Sequence, residues 1–99
     1  PVVPDACAHT AHIFYIKTND FKTRCDLIEY MKQRGVTCVF HYVPLHSSPF
    51  GKTCSSFCGE DRYTTKTSET LVRLPMYRDL TKDAVDYILE HIYSFFEGK

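Results

Sequence analysis

The chain lacks the features that mark several common classes of protein. Its 99 residues contain no tryptophan and only four glycines, and none of these glycines forms the GxGxxG or GxxxxGK[ST] pattern of a phosphate-binding loop. Twelve acidic residues balance twelve basic ones, so no basic footprint for nucleic acid is expected. No apolar run approaches the roughly 20 residues of a membrane-spanning helix. We therefore expect neither nucleic acid nor a membrane as a partner.

The number and distribution of the cysteines argue against a domain stabilised by disulfides. There are five of them, an odd number scattered over segments of different type, which argues against a disulfide framework and for reduced thiols in the cytoplasm. The N-terminus has no initiator methionine, basic region or hydrophobic signal segment. We expect a single cytoplasmic domain, residues 1–99, cut from a longer polypeptide. An apolar fraction of 43% is enough for a globular core.

Short β-rich segments predict the strands. They are residues 12–17, residues 37–43 and residues 70–74, the last two ended by Pro44 and Pro75. Residues 44–69 are rich in serine, threonine, glycine and proline and are predicted to be mostly loop.

Two amphipathic helices complete the pattern. The first is predicted to begin at a cap formed by Asn19 or Asp20 and to end at Gly35. The second is predicted to begin at the cap Thr81 and to close at Gly98. Their expected buried residues are Phe21, Cys25, Leu27, Ile28 and Met31 in the first helix, and Val85, Ile88, Leu89, Ile92, Phe95 and Phe96 in the second. The pattern predicts an α+β fold, in which two main helices pack on one face of a small, mainly antiparallel sheet of about three strands.

A zinc site is conceivable from the cysteine and histidine spacing. Cys54 and Cys58 are four positions apart and follow His41 and His46. The spacing is permissive and the histidines precede the cysteines, unlike a zinc finger, so ordinary loop thiols are the favoured interpretation.

A cysteine nucleophile is a weaker hypothesis. Cys25 and Cys38 are expected in the core, and Cys58 has only His46 as a conceivable partner. Nothing in the sequence specifies a third group that would orient this pair.

Polar side chains follow the second predicted strand at the position where ligand-binding groups often lie. Tyr42 and His46 could donate hydrogen bonds to a sugar hydroxyl or a phosphate, and Arg62 and Arg73 could pair with a phosphate or carboxylate. Each has a structural alternative. His41 could be a satisfied histidine at the edge of the core, Arg73 could extend from a sheet face to solvent, and the acids at 60–61 could form a local ion pair with Arg62.

Four sequence strings resemble one family. Ala-His-Ile-Phe-Tyr-Ile-Lys at 11–17, Phe-His-Tyr-Val-Pro-Leu-His at 40–46, Gly-Glu-Asp-Arg-Tyr-Thr-Thr-Lys at 59–66 and Leu-Pro-Met-Tyr at 74–77 are similar to the C-terminal part of the DegT/DnrJ/EryC1/StrS sugar-nucleotide aminotransferases. The combination of the strings at 41–46 and 59–65 is narrower. It resembles the subgroup that makes dTDP-4-amino-4,6-dideoxygalactose. Cys58 departs from this subgroup, which tends to carry a histidine there.

The resemblance implies a function for the longer polypeptide. The family has the aspartate-aminotransferase fold, in which a large domain binds pyridoxal phosphate through a lysine and a small C-terminal domain covers the active site. It implies a homodimer that transfers an amino group from glutamate to a dTDP-4-keto-6-deoxy sugar, in lipopolysaccharide or enterobacterial-antigen biosynthesis. No lysine of this chain lies in the family's cofactor motif, so the chain alone is expected to bind no cofactor and to be inactive.

The resemblance also implies substrate-binding residues, which are Tyr42, His46, Arg62 and Tyr63. As an alternative, residues 59–65 would pack against the large domain. Two other functions stay open from the residues alone. One is a free-standing module that binds a nucleotide or sugar phosphate, and the other is a zinc-stabilised interaction domain.

Overall fold

The computed structural model describes residues 2–98, which form three strands and four helices. The strands are β1 (Phe14–Lys17), β2 (Val39–Phe40) and β3 (Leu71–Leu74). The helices are α1 (Phe21–Lys32), α2 (Gly51–Cys54), α3 (Thr64–Thr70) and α4 (Lys82–Glu97), and a 3-10 turn spans Leu45–Ser47. The predicted α+β class is confirmed.

The sheet is antiparallel throughout, in the order β1-β3-β2. Val72 in the central strand lies opposite Ile16 on one side and Phe40 on the other. Because side chains alternate across a strand, these residues share one face of the sheet. Leu71 and Arg73 belong to the opposite face.

The core forms where α1 and α4 meet the Val72 face of the sheet. Its buried members are Leu27, Met31, Val36, Cys38, Val72, Ile88, Ile92 and Phe95. Leu27, Met31 and Val72 are fully buried. The predicted packing of two helices on one sheet face is confirmed, as is the burial of Cys38.

Local capping residues fix the ends of the two long helices. The carboxylate of Asp20 accepts a hydrogen bond from the backbone N–H of Thr23 at 2.7 Å, and the Thr81 hydroxyl accepts one from Ala84 at 3.2 Å. After α1, Gly35 takes a φ of +73°, and the next residue donates to the Met31 carbonyl at 3.0 Å. This is the Schellman ending that glycine permits, as predicted.

The predicted buried face of α1 was partly wrong. Phe21 and Cys25 are exposed, whereas Arg24 is buried beside Leu27 and Met31. The arginine faces inward because its guanidinium donates to the Ser68 carbonyl at 2.7 Å, which satisfies part of its hydrogen-bonding capacity.

The predicted stripe of α4 was also too wide. Ile88, Ile92 and Phe95 are buried, but Val85, Leu89 and Phe96 are exposed. A helix that packs with one narrow face on a small sheet leaves the flanks of its apolar stripe uncovered.

Residues 44–69 are more helical than predicted, since they hold the 3-10 turn, α2 and most of α3. Thr70 ends α3 rather than beginning the strand, and β2 is only two residues long. Side-chain contacts with neighbouring segments stabilise these short elements, and local propensity did not indicate them.

Candidate functional site

The chain leaves β2 through a strained residue. Tyr42 has a φ of 61°, in the left-handed region that residues other than glycine rarely adopt. The Ser68 hydroxyl donates to the Tyr42 carbonyl at 2.6 Å and ties this turn to α3. The Tyr42 side chain is 72% exposed and its ring lies 4.6 Å from that of His41.

A cleft of about 560 Å³ lies between this turn and α3. It is lined by His41, Tyr42, Val43, Pro44, Leu45, Tyr63, Thr64, Thr67, Ser68 and Leu71. Two of the predicted substrate-binding residues, Tyr42 and Tyr63, therefore lie on one cleft although they are far apart in sequence. Both side chains are more than 70% exposed, at 72% and 78%.

His41, which also lines the cleft, has an unsatisfied ring nitrogen. Its Nδ1 atom is buried and has no hydrogen-bond partner among residues 2–98. A buried polar atom without a partner costs stability, so such an atom calls for an explanation. The alternative of a satisfied histidine at the core edge does not describe this side chain.

His46 lies beside the cleft in a small polar cluster. Its Nε2 atom is 3.1 Å from Asp61 Oδ2 and 3.3 Å from Thr65 Oγ1, and its ring meets the Phe57 ring edge-on at 4.7 Å. Because an ionised carboxylate can only accept, Nε2–H is the donor to Asp61. This contact occupies Nε2, so a ligand could reach His46 only through Nδ1.

Asp61 lies at the centre of this polar cluster, and the sequence did not single it out. Its carboxylate accepts from the Thr65 hydroxyl at 2.5 Å and from the backbone N–H groups of Thr64 and Thr65 at 3.0 and 3.3 Å. The Thr65 hydroxyl, these backbone bonds and His46 lower the pKa of Asp61 below its ordinary value. One sequence signal could have identified it as a helix cap. Asp61 precedes a pair of threonines by three residues, at the position where a helix begins.

The two arginines lie away from the cleft lining. Arg62 Nε is 2.8 Å from Glu60 Oε2, and both side chains are largely exposed, so the local ion pair predicted there is confirmed. Arg73 is half-buried in β3 and lies on the same sheet face as Leu71.

The thiols form no metal centre in the described part of the chain. Residues 2–98 contain no group of three or more histidine, cysteine or acidic side chains placed to hold a metal ion. Cys54 and Cys58 are exposed, while burial of Cys38 raises the pKa of its thiol. No helix within the same residues is both long and apolar enough to cross a membrane.

Comparison with known proteins identifies relatives of this chain. Residues 1–93 match the model of the DegT/DnrJ/EryC1/StrS aminotransferase family. The chain is also similar to a protein from Geobacillus stearothermophilus named "Pleiotropic regulatory protein", with 26% identity over 96 residues. That alignment covers 96% of the chain but 26% of the relative, so the chain spans about a quarter of this curated relative's length. The match over nearly its whole length shows that the chain belongs to the DegT/DnrJ/EryC1/StrS aminotransferase family.

Proposed function

We propose that the chain is the small C-terminal domain of a cytoplasmic, homodimeric aminotransferase that transfers an amino group from glutamate to a dTDP-4-keto-6-deoxy sugar. The observation that carries the proposal is the cleft. It joins residues from the two strings, 41–46 and 59–65, whose combination resembles the dTDP-sugar subgroup. Family membership and the much greater length of the relative support a larger enzyme around this domain.

In this proposal the cleft binds the sugar nucleotide. The exposed hydroxyls of Tyr42 and Tyr63 can each donate to a sugar hydroxyl or a phosphate oxygen. His46 would contact a sugar hydroxyl through Nδ1, because Asp61 holds Nε2. Arg62 would turn from Glu60 to the diphosphate, which is feasible because an exposed ion pair is weak.

The unsatisfied His41 nitrogen supports a ligand or a second domain at the cleft. Groups supplied from outside residues 2–98 would give Nδ1 the partner that it lacks. The alternative function of residues 59–65, packing against the large domain, uses the same surface and is compatible with a site formed between the two domains.

Pyridoxal phosphate supplies the electron sink in aminotransferases of this kind. A lysine that forms a Schiff base is normally desolvated, so that its amine can act as a nucleophile. The lysines of the described residues are all exposed, and Lys22 and Lys82 are paired with Asp26 and Asp86. These lysines do not fit the cofactor, which we assign to the large domain of the same polypeptide.

A second surface fits the contact with that large domain. An apolar groove of about 320 Å³ is lined by Phe14, Leu74, Pro75, Met76, Leu80, Val85, Ile88 and Leu89. Exposed contiguous apolar surface commonly marks an interface. We assign this groove to interdomain packing, because the relative has nearly three quarters of its length outside the aligned region.

The full-length protein, supplied with pyridoxal phosphate, glutamate and a dTDP-4-keto-6-deoxyhexose, tests the proposal. It should release 2-oxoglutarate and form the dTDP-4-amino sugar, which mass spectrometry distinguishes from the substrate. Tyr42→Phe and Tyr63→Phe should each raise the KM for the sugar nucleotide about tenfold, the effect of one lost hydrogen bond to a charged group. Tyr93→Phe is the matched control, because Tyr93 is 61% exposed on α4. Absence of both products in the wild type would contradict the proposal.

A further inference from the structure

Arg24 is a buried cation that the proposed function does not use. It is only 8% exposed, and its Nη1 atom donates to the Ser68 carbonyl at 2.7 Å. Its guanidinium carbon lies 4.6 Å from the centre of the Phe21 ring and 5.3 Å from that of Phe40. An arginine is rarely buried unless partners compensate for its desolvation. These contacts join α1, the end of β2 and the last turn of α3 at one point.

Ser68 extends this connection to the cleft. Its backbone carbonyl accepts from Arg24, and its hydroxyl donates to the Tyr42 carbonyl at 2.6 Å. Tyr42 is the residue with a φ of 61°, and strained backbone of this kind persists only where the surroundings hold it. Phe40, two residues earlier, is the ring that Arg24 faces. Arg24 therefore contacts the Tyr42 segment both directly, at Phe40, and through Ser68.

We propose that Arg24 and Ser68 are positioning residues that hold Tyr42 in its left-handed conformation and so direct its side chain to the cleft. Arg24 does not line the 560 Å³ cleft, but it lines an adjoining pocket of about 310 Å³ that shares Tyr42 and Ser68 with the cleft. Its contacts with the Ser68 carbonyl and the Phe40 ring are the ones through which it would hold the Tyr42 turn. The structural part of this inference is independent of the reaction. Its kinetic consequence rests on the proposed function.

Hydrogen–deuterium exchange of the full-length protein, followed by mass spectrometry, tests the structural part. In Ser68→Ala, peptides covering residues 39–47 should exchange about five- to tenfold faster, the change expected from one lost hydrogen bond. Ser68→Thr keeps the hydroxyl and should restore the slow exchange, and Arg24→Met should accelerate the same peptides. Ser94→Ala is the control, because Ser94 is an exposed serine on α4. Unchanged exchange over 39–47 in Ser68→Ala, or equal acceleration over residues 82–97, would overturn the assignment.

Steady-state kinetics test the consequence for binding. Arg24→Met and Ser68→Ala should raise the KM for the sugar nucleotide about fivefold, with kcat and the KM for glutamate changed less than twofold. Because Arg24 lines a pocket that adjoins the cleft, the KM effect is read together with the exchange result. Faster exchange over residues 39–47 in ligand-free Arg24→Met shows positioning, which a loss of ligand contact alone would not produce. If the KM for the sugar nucleotide, the KM for glutamate and kcat all worsened by the same factor, the positioning role would be overturned. If the wild type has no aminotransferase activity, the proposed function fails, and the exchange experiment still decides the link from Arg24 to Tyr42.

Discussion

Single residues in this domain hold together segments that are distant in sequence. Asp61 joins the start of α3 to His46, through the Thr65 hydroxyl and two backbone N–H groups on one side and the imidazole on the other. An ionised carboxylate is the only common side chain with acceptor capacity for all of these donors. Its ionisation should therefore control the local structure around His46.

The pH dependence of stability tests this role of Asp61. Its pKa is lowered in the folded chain, so the stabilisation is present above the ordinary value of 3.8 and is lost as the pH falls through the lowered value. The difference in urea-unfolding free energy between the wild type and Asp61→Asn should be constant near pH 5 and shrink towards pH 2.5. Glu60→Asn is the control, because Glu60 is exposed and contacts only its neighbour Arg62 in the described ion pairs. A difference that stays constant to pH 2.5 would contradict the role.

The cysteines differ in exposure, and we expect them to differ in reactivity for that reason. Cys38 is 4% exposed and burial raises the pKa of its thiol, whereas Cys7, Cys25, Cys54 and Cys58 are exposed. Only the thiolate reacts with iodoacetamide. At pH 8 the label on Cys38 should appear at least tenfold more slowly than on the other four, as peptide mass spectrometry would measure. In urea all five should react alike, and rapid native labelling of Cys38 would show that the core is assigned wrongly.

At the scale of elements, the two long helices could be predicted from the sequence and the short ones could not. The caps Asp20 and Thr81 and the ending at Gly35 are local signals, and the structure follows them. The helix α3 has a serine- and threonine-rich sequence, and it depends on Asp61 before it and on Arg24 across from it. Such tertiary contacts leave no periodicity in the sequence.

The inward position of Arg24 also results from tertiary contacts. Apolar spacing favoured Phe21 and Cys25 as core residues, because periodicity treats an arginine as polar. The Ser68 carbonyl and the rings of Phe21 and Phe40 offset part of the cost of burying Arg24, whose Nε atom has no hydrogen-bond partner among residues 2–98. None of these contacts was evident before the fold was known.

The helix α2 depends on the absence of a side chain at Gly51. A Cβ atom there would lie 1.7 Å from the Leu45 carbonyl oxygen and 2.8 Å from Ser48 Oγ. Gly51→Ala must therefore displace the 3-10 turn, and we expect it to lower the free energy of unfolding by about 2 kcal/mol, as overpacking does.

Gly59→Ala is the matched comparison in the next loop. Gly59 has a φ of +79° but open space around its Cβ position, so only backbone strain opposes the alanine. This variant should lower the free energy of unfolding by about 1 kcal/mol. Urea unfolding measures both variants, and a smaller loss for Gly51→Ala than for Gly59→Ala would contradict the close packing of α2 on the turn.

At the scale of the whole molecule, the cleft and the apolar groove are distinct surfaces. The cleft lies between the Tyr42 turn and α3, and the groove lies between α4 and the strand ends near Phe14 and Leu74. The family resemblance pointed to Tyr42, His46, Arg62 and Tyr63, whereas periodicity gave no reason to group them. The structure brings Tyr42 and Tyr63 to one cleft, sets His46 beside it on Asp61, and leaves Arg62 outside the lining.

The groove yields a test of the interdomain contact. Leu89 is 40% exposed in this chain and lines the groove. Leu89→Gln should lower the thermal midpoint of the full-length protein by about 3 °C or more, because burial of a leucine contributes about 2 kcal/mol. The neighbouring exposed Glu90→Gln should change it little. Equal midpoints for Leu89→Gln and the wild type would remove the groove from the interface.

The proposed function requires that this chain is part of a pyridoxal-phosphate aminotransferase whose cofactor lysine lies elsewhere in the polypeptide. Borohydride reduction of the natural full-length protein, followed by intact and peptide mass spectrometry, tests it most directly. We expect a pyridoxyl group fixed on one lysine outside residues 1–99, in a polypeptide several times longer than this domain. A full-length protein that carries no pyridoxyl adduct, or one whose adduct lies on Lys17, Lys22 or another lysine of this chain, would contradict it.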